Sequence, residues 1–257
     1  MSQTKSPWLS IITACYNDSK NLKKTIKSII NQDVDFAEYI IIDGDSSDDT
    51  VKVIEENNRF ISTWISEKDD GVYDAMNKGL KLASGQYILF INAGDTFYTN
   101  DVLKNIKKQE ENEDILYGNA IFVHENGKYK SPRHKLLPAN LDWQSFKDGM
   151  VVCHQALLVK NTIIEPYNLQ YKVTADLDWA IRCVKKARSV RNLRFTICNF
   201  QFGGMSDTQK QKALIERWHI LVNHYGLFTT ILRHLKIPFT YTSWKMYSVY
   251  KRFTVKE

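Results

Sequence analysis

Short acidic and amide-bearing stretches hold most of the side chains that could do chemistry. The stretch Ser66 to Asp95 carries Asp74, Asn77 and Lys78 within about one helical turn and ends at Asn92-Ala93-Gly94-Asp95. Tyr16-Asn17-Asp18 and the run Asp43 to Thr50 are two more such stretches. Together they offer what a mononucleotide needs. A carboxylate such as Asp43 can accept a hydrogen bond from a base N–H, Tyr16 can give the base a flat face, and Asn92 can bond ribose hydroxyls. Asp95 can hold a hard divalent cation, Mg²⁺ or Mn²⁺, against a diphosphate. A solvated turn or a helix cap would explain any one of these residues alone. Their common position, after strands and before helices, is what favours a ligand site.

The elements that must position them are legible as β-α repeats. Trp8 to Ala14, Tyr39 to Ile42, Ile61 to Ile65 and Tyr87 to Ile91 are apolar, β-rich runs and are expected to be strands. Leu22, Ile26, Ile29 and Ile30 recur at helical spacing after Asp18 or Ser19, either of which could cap that helix. Val51, Ile54 and Glu55 begin a second helix, and Val72, Met76, Leu80 and Ala83 a third, with Gly85 expected as its C-cap. Four such repeats joined by short turns predict an α/β fold with a doubly wound, mostly parallel sheet, whose carboxyl edge carries the acidic turns. On that edge Asp74, Asn77 and Lys78 are expected to converge with the turns.

Composition bounds the class. The chain has 257 residues, with 43% hydrophobic and 25% charged, as in an ordinary globule. A net charge of +6 does not indicate nucleic acid. The four cysteines, Cys15, Cys153, Cys183 and Cys198, form no C-x-x-C pair, which suits a reduced, cytoplasmic protein. The start is polar up to Trp8, so no signal peptide is expected, and no apolar run reaches the ~20 residues of a membrane span.

Further on, Ile115 to Val123 is a predicted strand, and Asn126-Gly127 marks a hairpin returning through Lys128 to Lys130. Pro138 to Phe146 suggests a short helix bearing Trp143, and His154-Gln155 precedes an apolar strand, Ala156 to Val159. His154 is a candidate substrate contact, although a lone histidine is often structural. Leu177, Ile181 and Val184 form the buried face of a helix opened by Thr174-Ala175-Asp176, and Arg191 to Phe202 is a further β-like segment. Gly203-Gly204 permits close backbone approach or a moving loop.

As an ordered set, S-I-I-T-A-C-Y-N (10–17), Y-I-I-I-D-G-D-S-S-D-D-T (39–50), S-E-K-D-D-G-V-Y-D-A-M-N-K-G (66–79), F-I-N-A-G-D (90–95), C-H-Q-A (153–156), Y-K-V-T-A-D (171–176) and F-G-G-M-S (202–206) resemble the inverting family 2 nucleotide-sugar glycosyltransferases. The set is most similar to bacterial transferases of colanic-acid and O-antigen assembly. The resemblance implies a GT-A fold over 1–206, with a nucleotide-sugar half (1–100), an acceptor half (101–206) and a C-terminal helical, basic-aromatic extension (207–257). It implies that Thr13, Ala14 and Tyr16 frame the base, that Asp43 reads it, and that Asp74, Asn77, Lys78, Asn92 and Ala93 contact ribose and diphosphate. The family's D-x-D falls at Asn92-Ala93-Gly94, which leaves Asp95 as the one carboxylate for a Mg²⁺ or Mn²⁺ ion. An arginine common near the diphosphate corresponds to Met76, so Lys78 or a later cation takes its part.

An inverting transfer needs a carboxylate to take the acceptor's proton. The resemblance assigns that base to Asp176, with Asp178 as runner-up, although either Thr174 or Asp176 would serve as a helix cap. It also implies that Gly203, Gly204 and Ser206 belong to a loop closing over the diphosphate or acceptor. UDP-sugars are the favoured donors, and GDP-sugars also fit. The implied acceptor is a polyprenyl-diphosphate-linked saccharide in surface polysaccharide assembly, such as O-antigen, exopolysaccharide or capsule. Leu214, Trp218, Leu221 and Val222 suggest one side of a late helix. The basic, aromatic tail beyond Gly226, from Phe228 and Arg233 to Trp244 and Phe253, suits peripheral contact at the inner face of a cell membrane, or packing on a second subunit. Two other readings stay open: a nucleotidyltransferase on a similar sheet, and a non-catalytic nucleotide-sugar or membrane-surface binding module.

Overall fold

The computed structural model of the protein describes residues 6–123, 130–132, 137–201, 203–204 and 208–235. Four parallel strands, β1 (Leu9–Cys15), β2 (Ala37–Asp43), β3 (Thr63–Ser66) and β4 (Tyr87–Phe90), alternate with α1 (Ser19–Ile30), α2 (Thr50–Glu56) and α3 (Val72–Leu82). Then come β5 (Thr96–Phe97), α4 (Val102–Gln109), β6 (Ile115–Val123), β7 (Lys130–Pro132), β8 (Leu157–Lys160), α5 (Ala175–Lys186), β9 (Val190–Gln201) and α6 (Lys210–Tyr225), with a further helical stretch over 227–235. The strands form a single sheet in the order β3-β2-β1-β4-β8-β6-β9-β5, and β7 pairs with β6. β8 runs antiparallel between β4 and β6, so the sheet is mixed.

The alternation of apolar residues along β1 explains why helices cover both faces. Leu9 and Ile11 pack with Leu22, Ile26 and Ile29 of α1, Val53 and Ile54 of α2, and Leu103 and Ile106 of α4. Ile12 and Ala14 pack on the other side with Met76 of α3, Leu177 and Ile181 of α5, and Ile220 and Leu221 of α6. Each strand between two helical layers is therefore apolar on both faces, and burial of that surface drives the fold. The hairpin expected at Asn126-Gly127 lies outside the described residues, but its arms, β6 and β7, pair antiparallel in the register Ile121 with Pro132.

Three local expectations are corrected. Gly85 is not a C-cap: α3 ends at Leu82 with Ala83 in extended conformation. A Cβ at Gly85 would stand 2.5 Å from the Ser10 nitrogen, so glycine is needed for close approach to β1. Neither Asp18 nor Ser19 gives α1 a side-chain cap; Asp18 instead accepts a bond from Asn21 Nδ2 at 3.1 Å. In α6 the buried residues are Ala213, Glu216, Ile220 and Leu221, while Leu214 is 62% exposed.

Candidate active site

At the carboxyl edge of the sheet lies a cleft of about 930 Å³. The end of β1 contributes Ala14, Cys15 and Tyr16, the end of β4 contributes Asn92, Ala93 and Asp95, and the first turn of α3 contributes Tyr73 and Met76. Cys153, His154, Gln155, the start of α5 with Asp176, and the end of β9 with Gly203 and Gly204 complete the opposite wall. Most of the residues expected from sequence to bind a ligand are thus in one place.

The turn after β4 is fixed from below. Gly94 has φ 97°, a conformation that L side chains rarely adopt, and a Cβ there would come within 2.9 Å of Gln201 Oε1. The buried Thr25 hydroxyl accepts from the Gly94 N–H at 3.0 Å and lies 2.8 Å from the Asp95 carbonyl. Asp95 is only 3% exposed; its carboxylate accepts from Gln155 Nε2 and from the Gln201 N–H, each at 2.8 Å. Burial raises its pKa to about 7, against the pull of these two donors. Gln155 is part of the C-H-Q-A stretch but its bond to Asp95 is not legible there, and Gln201 goes unmarked in the sequence because a backbone N–H that bonds a carboxylate leaves no motif.

Could this turn hold a cation? Among the described residues no three His, Cys, Asp or Glu side chains gather as a ligand cage. Two hard oxygen donors are nonetheless present in the cleft: Asp95, whose oxygens keep lone pairs free, and Asn92, whose buried Oδ1 has no hydrogen-bond partner. A Mg²⁺-like ion is commonly held by one or two protein oxygens, with phosphates and water supplying the rest. The donor set fits that mode and no fuller cage.

Across the cleft, Asp176 sits in the first turn of α5 with 24% of its side chain exposed. His154 Nδ1 is 3.5 Å from one of its oxygens, and the Tyr73 hydroxyl is 3.3 Å from the other. His154 Nε2 in turn lies 3.5 Å from Asn92 Nδ2, so the histidine stands between the β4 turn and the carboxylate. Burial disfavours charge on His154, but the hydrogen bond and charge of Asp176 outweigh it and raise the imidazole above its ordinary 6.5. Burial likewise opposes ionisation of Asp176, and the bonds from His154, the Leu177 N–H and Tyr73 outweigh it and lower its pKa. The result is a carboxylate kept ionised, reachable from solvent and held in one orientation.

Not every expected residue reaches the cleft. Asp43 is fully buried; it accepts from the Ser46 N–H at 3.0 Å and from the Ser66 hydroxyl at 2.6 Å, and it is paired across the sheet with Cys15 and Ser66. Thr13 is buried, donating to the Ile91 carbonyl at 2.6 Å. Asn77 ties α3 to the chain at Tyr167, donating to its carbonyl at 3.0 Å and accepting from its N–H at 2.7 Å. Lys78 bonds Glu67 at 2.9 Å and the Lys68 carbonyl at 2.7 Å, and it lies 3.8 Å from Asp74. Asp178 turns into the protein, where Arg182 Nε and His224 Nε2 each hold it at 2.8 Å. Ser206 lies outside the described residues. In their stead the cleft presents Asp18, Asp69 and Arg217. A Cβ built on Gly44 would meet Asp69 Oδ2 at 2.6 Å and the Tyr16 ring at 3.3 Å, so these two side chains flank the same spot. Tyr16 itself is 63% exposed.

Comparison with known proteins bears on this geometry. The model of "Glycosyl transferase family 2" matches residues 10–164. The "PGL/p-HBAD biosynthesis glycosyltransferase" of Mycobacterium bovis is 32% identical over 227 residues, covering 82% of this chain and 84% of the relative. An "Uncharacterized glycosyltransferase" of Mycobacterium tuberculosis is 29% identical over 221 residues, covering 82% and 81%. Among solved structures, S. aureus TarS 1–349 in complex with UDP-GlcNAc superposes with TM-score 0.66 at 15% identity, covering 89% of this chain and 73% of that one. The mannosyltransferase PcManGT from Pyrobaculum calidifontis, in complex with GDP-Man and Mn²⁺, superposes with TM-score 0.60 at 12% identity, covering 98% and 84%. At these identities the two structures speak for the fold.

Proposed function

The chain belongs to glycosyl transferase family 2 and is a glycosyltransferase of GT-A fold, and from that premise we propose that it moves a sugar, with inversion, from a nucleoside-diphosphate donor to a hydroxyl of a lipid-linked saccharide. Membership removes the nucleotidyltransferase and binding-module alternatives. One observation carries the rest: Asp95, at the end of β4, and Asp176, at the start of α5, line the same cleft with His154 between them. The sequence motifs that supply a donor site and a proton acceptor thus open onto one space.

The donor's base lies on Tyr16. Asp69, which lines the cleft beside Tyr16, is the acid open to the base N–H, and the buried Asp43 reads it only on giving up a serine partner. The diphosphate lies over the β4 turn. Mg²⁺ or Mn²⁺ bound by Asp95, with Asn92 Oδ1 beside it, would supply neutralisation of the departing diphosphate. The acceptor oxygen approaches the anomeric carbon from the face away from the diphosphate. A C–O bond forms there as the bond to the diphosphate oxygen breaks, and that electron pair leaves with the diphosphate. The hydroxyl proton passes to Asp176, whose lowered pKa keeps it ionised before attack.

UDP is the favoured carrier, supported by TarS having been solved with UDP-GlcNAc; PcManGT, solved with GDP-Man, keeps GDP in the test. We assign 1–206 to this chemistry, as a donor half (1–100) and an acceptor half (101–206), and the extension 207–257 to membrane proximity. Among the described residues no helix is long and apolar enough to cross a membrane. Leu227, Phe228 and Leu235 are 56, 75 and 64% exposed and run into a basic, aromatic sequence, which suits an anionic lipid surface on the cytoplasmic side. The expected outcome with UDP- and GDP-sugars is release of nucleoside diphosphate that depends on added membrane lipid extract, with an inverted anomeric centre in the lipid product. A retained configuration, or no release with any donor, would overturn the reading.

A further inference from the structure

We propose that Glu216, on α6, is a positioning residue for Asp176, an inference that rests on Asp176 being the base. Glu216 is 7% exposed. One of its carboxylate oxygens accepts the Lys172 N–H at 2.9 Å; the other accepts the Val173 and Thr174 N–H groups, each at 2.9 Å, and the Thr174 hydroxyl at 3.3 Å. These three successive amides lead directly into α5, whose second residue is Asp176.

A helix start leaves backbone N–H groups in need of acceptors, and a nearby side chain usually supplies them. Here Thr174 occupies the cap position without making a side-chain cap. Glu216, more than forty positions later in the chain, accepts the N–H of that cap residue and those of the two residues before it, and so fixes the backbone that feeds the helix. It brings a negative charge to the positive end of the α5 dipole, in charge-assisted bonds of the stronger kind. The same segment is gripped from the cleft side, where the Tyr73 hydroxyl donates to the Val173 carbonyl at 3.0 Å and contacts Asp176. Glu216 and Tyr73 therefore both hold the backbone before Asp176, one through its N–H groups and the other through the Val173 carbonyl. The next residue on α6, Arg217, lines the cleft. Glu216 and Asp176 both lie beyond the span matched by the family model, residues 10–164. A buried carboxylate is a costly way merely to dock a helix, since apolar packing would do that without desolvating a charge. Orienting amides at a reacting carboxylate is a task that apolar packing cannot perform.

The test is a double-mutant cycle in the full chain, with Glu216→Gln and Asp176→Asn alone and together. It reads kcat and donor KM from UDP release with a UDP-sugar donor and membrane lipid extract, UDP affinity by calorimetry, and folding by circular dichroism. We expect Glu216→Gln to lower kcat by about 10- to 100-fold while leaving donor KM and UDP affinity within about two-fold, as a small misplacement of a reacting group does. In the Asp176→Asn background it should add no further loss. Should Glu216→Gln fail to fold, the same cycle is run with Glu216→Asp, which keeps the charge but is one methylene short. A folded variant with wild-type kcat, or a full multiplicative loss in the Asp176→Asn background, would overturn the proposal. Wild-type turnover in Asp176→Asn would instead remove the base assignment, whereas an inactive Asp176→Asn beside a fully active Glu216→Gln would remove only the positioning role.

Discussion

At the scale of residues, the chemistry rests on a couple rather than on a single acid. His154 and Asp176 shift each other in opposite directions, each toward its charged form. Because the His154 pKa is raised above 6.5, its stabilisation is complete below that pH and is lost as pH rises through the raised value. The Asp176 pKa is lowered from 3.8, so its share is present above that pH and is lost as pH falls through the lowered value. The pair therefore stabilises the fold chiefly between those limits. His154→Gln should cost on the order of 1 kcal/mol at mildly acidic pH, and the deficit should shrink as pH climbs past neutrality. Urea unfolding of both proteins across pH checks this; a constant or growing deficit at alkaline pH would contradict it. The site's other acid tests the cation reading. Mn²⁺ should raise the melting temperature of the UDP complex in the wild type and do so far less in Asp95→Asn, because that substitution removes the one carboxylate of the β4 turn.

At the scale of elements, α3 shows how tightly the scaffold is set. A Cβ on Gly79 would stand 2.5 Å from Ile12 Cγ2, a branch close to the β1 backbone that cannot swing away. In an exposed helix, Gly→Ala gains up to about 1 kcal/mol, but overpacking costs about 1–3 kcal/mol, so Gly79→Ala should be net destabilising. Denaturant melts decide it, and a stabilised variant would show that the helix can move off the sheet. The same helix shows what sequence can and cannot say. The apolar runs of β1, β2 and β4 and the acidic turns beyond them were legible, because buried parallel strands admit little else. Asp74, Asn77 and Lys78 were legible as a group on one turn, but helical spacing does not say which way that turn faces. Tyr73 and Met76 face the cleft, while Asn77 and Lys78 are spent on structural bonds. Gly85 looked like a cap because sequence does not reveal that β1 passes 2.5 Å from its missing Cβ. Glu216 and Arg217 were illegible for a related reason: a buried carboxylate interrupts the apolar stripe of α6, and its partners are backbone amides that carry no sequence signature.

At the scale of the whole molecule, a single sheet joins the part that would hold the donor to the part that would hold the acceptor, through β8 paired between β4 and β6. The C-terminal end leaves an apolar strip on 227–235 in front of a basic sequence. Flotation should find the protein with anionic vesicles at low salt, less so at high salt, and scarcely with neutral ones; equal recovery with both would contradict the electrostatic contribution, and recovery with neither would argue for a protein partner instead. The account as a whole depends on Asp176 acting on the acceptor while the β4 turn holds the donor, and one comparison reaches that division directly. Turnover and UDP affinity measured side by side in Asp176→Asn should separate, with affinity close to wild type and kcat lower by at least ~10². Turnover that survives the substitution, or affinity and turnover that fall together, would contradict it.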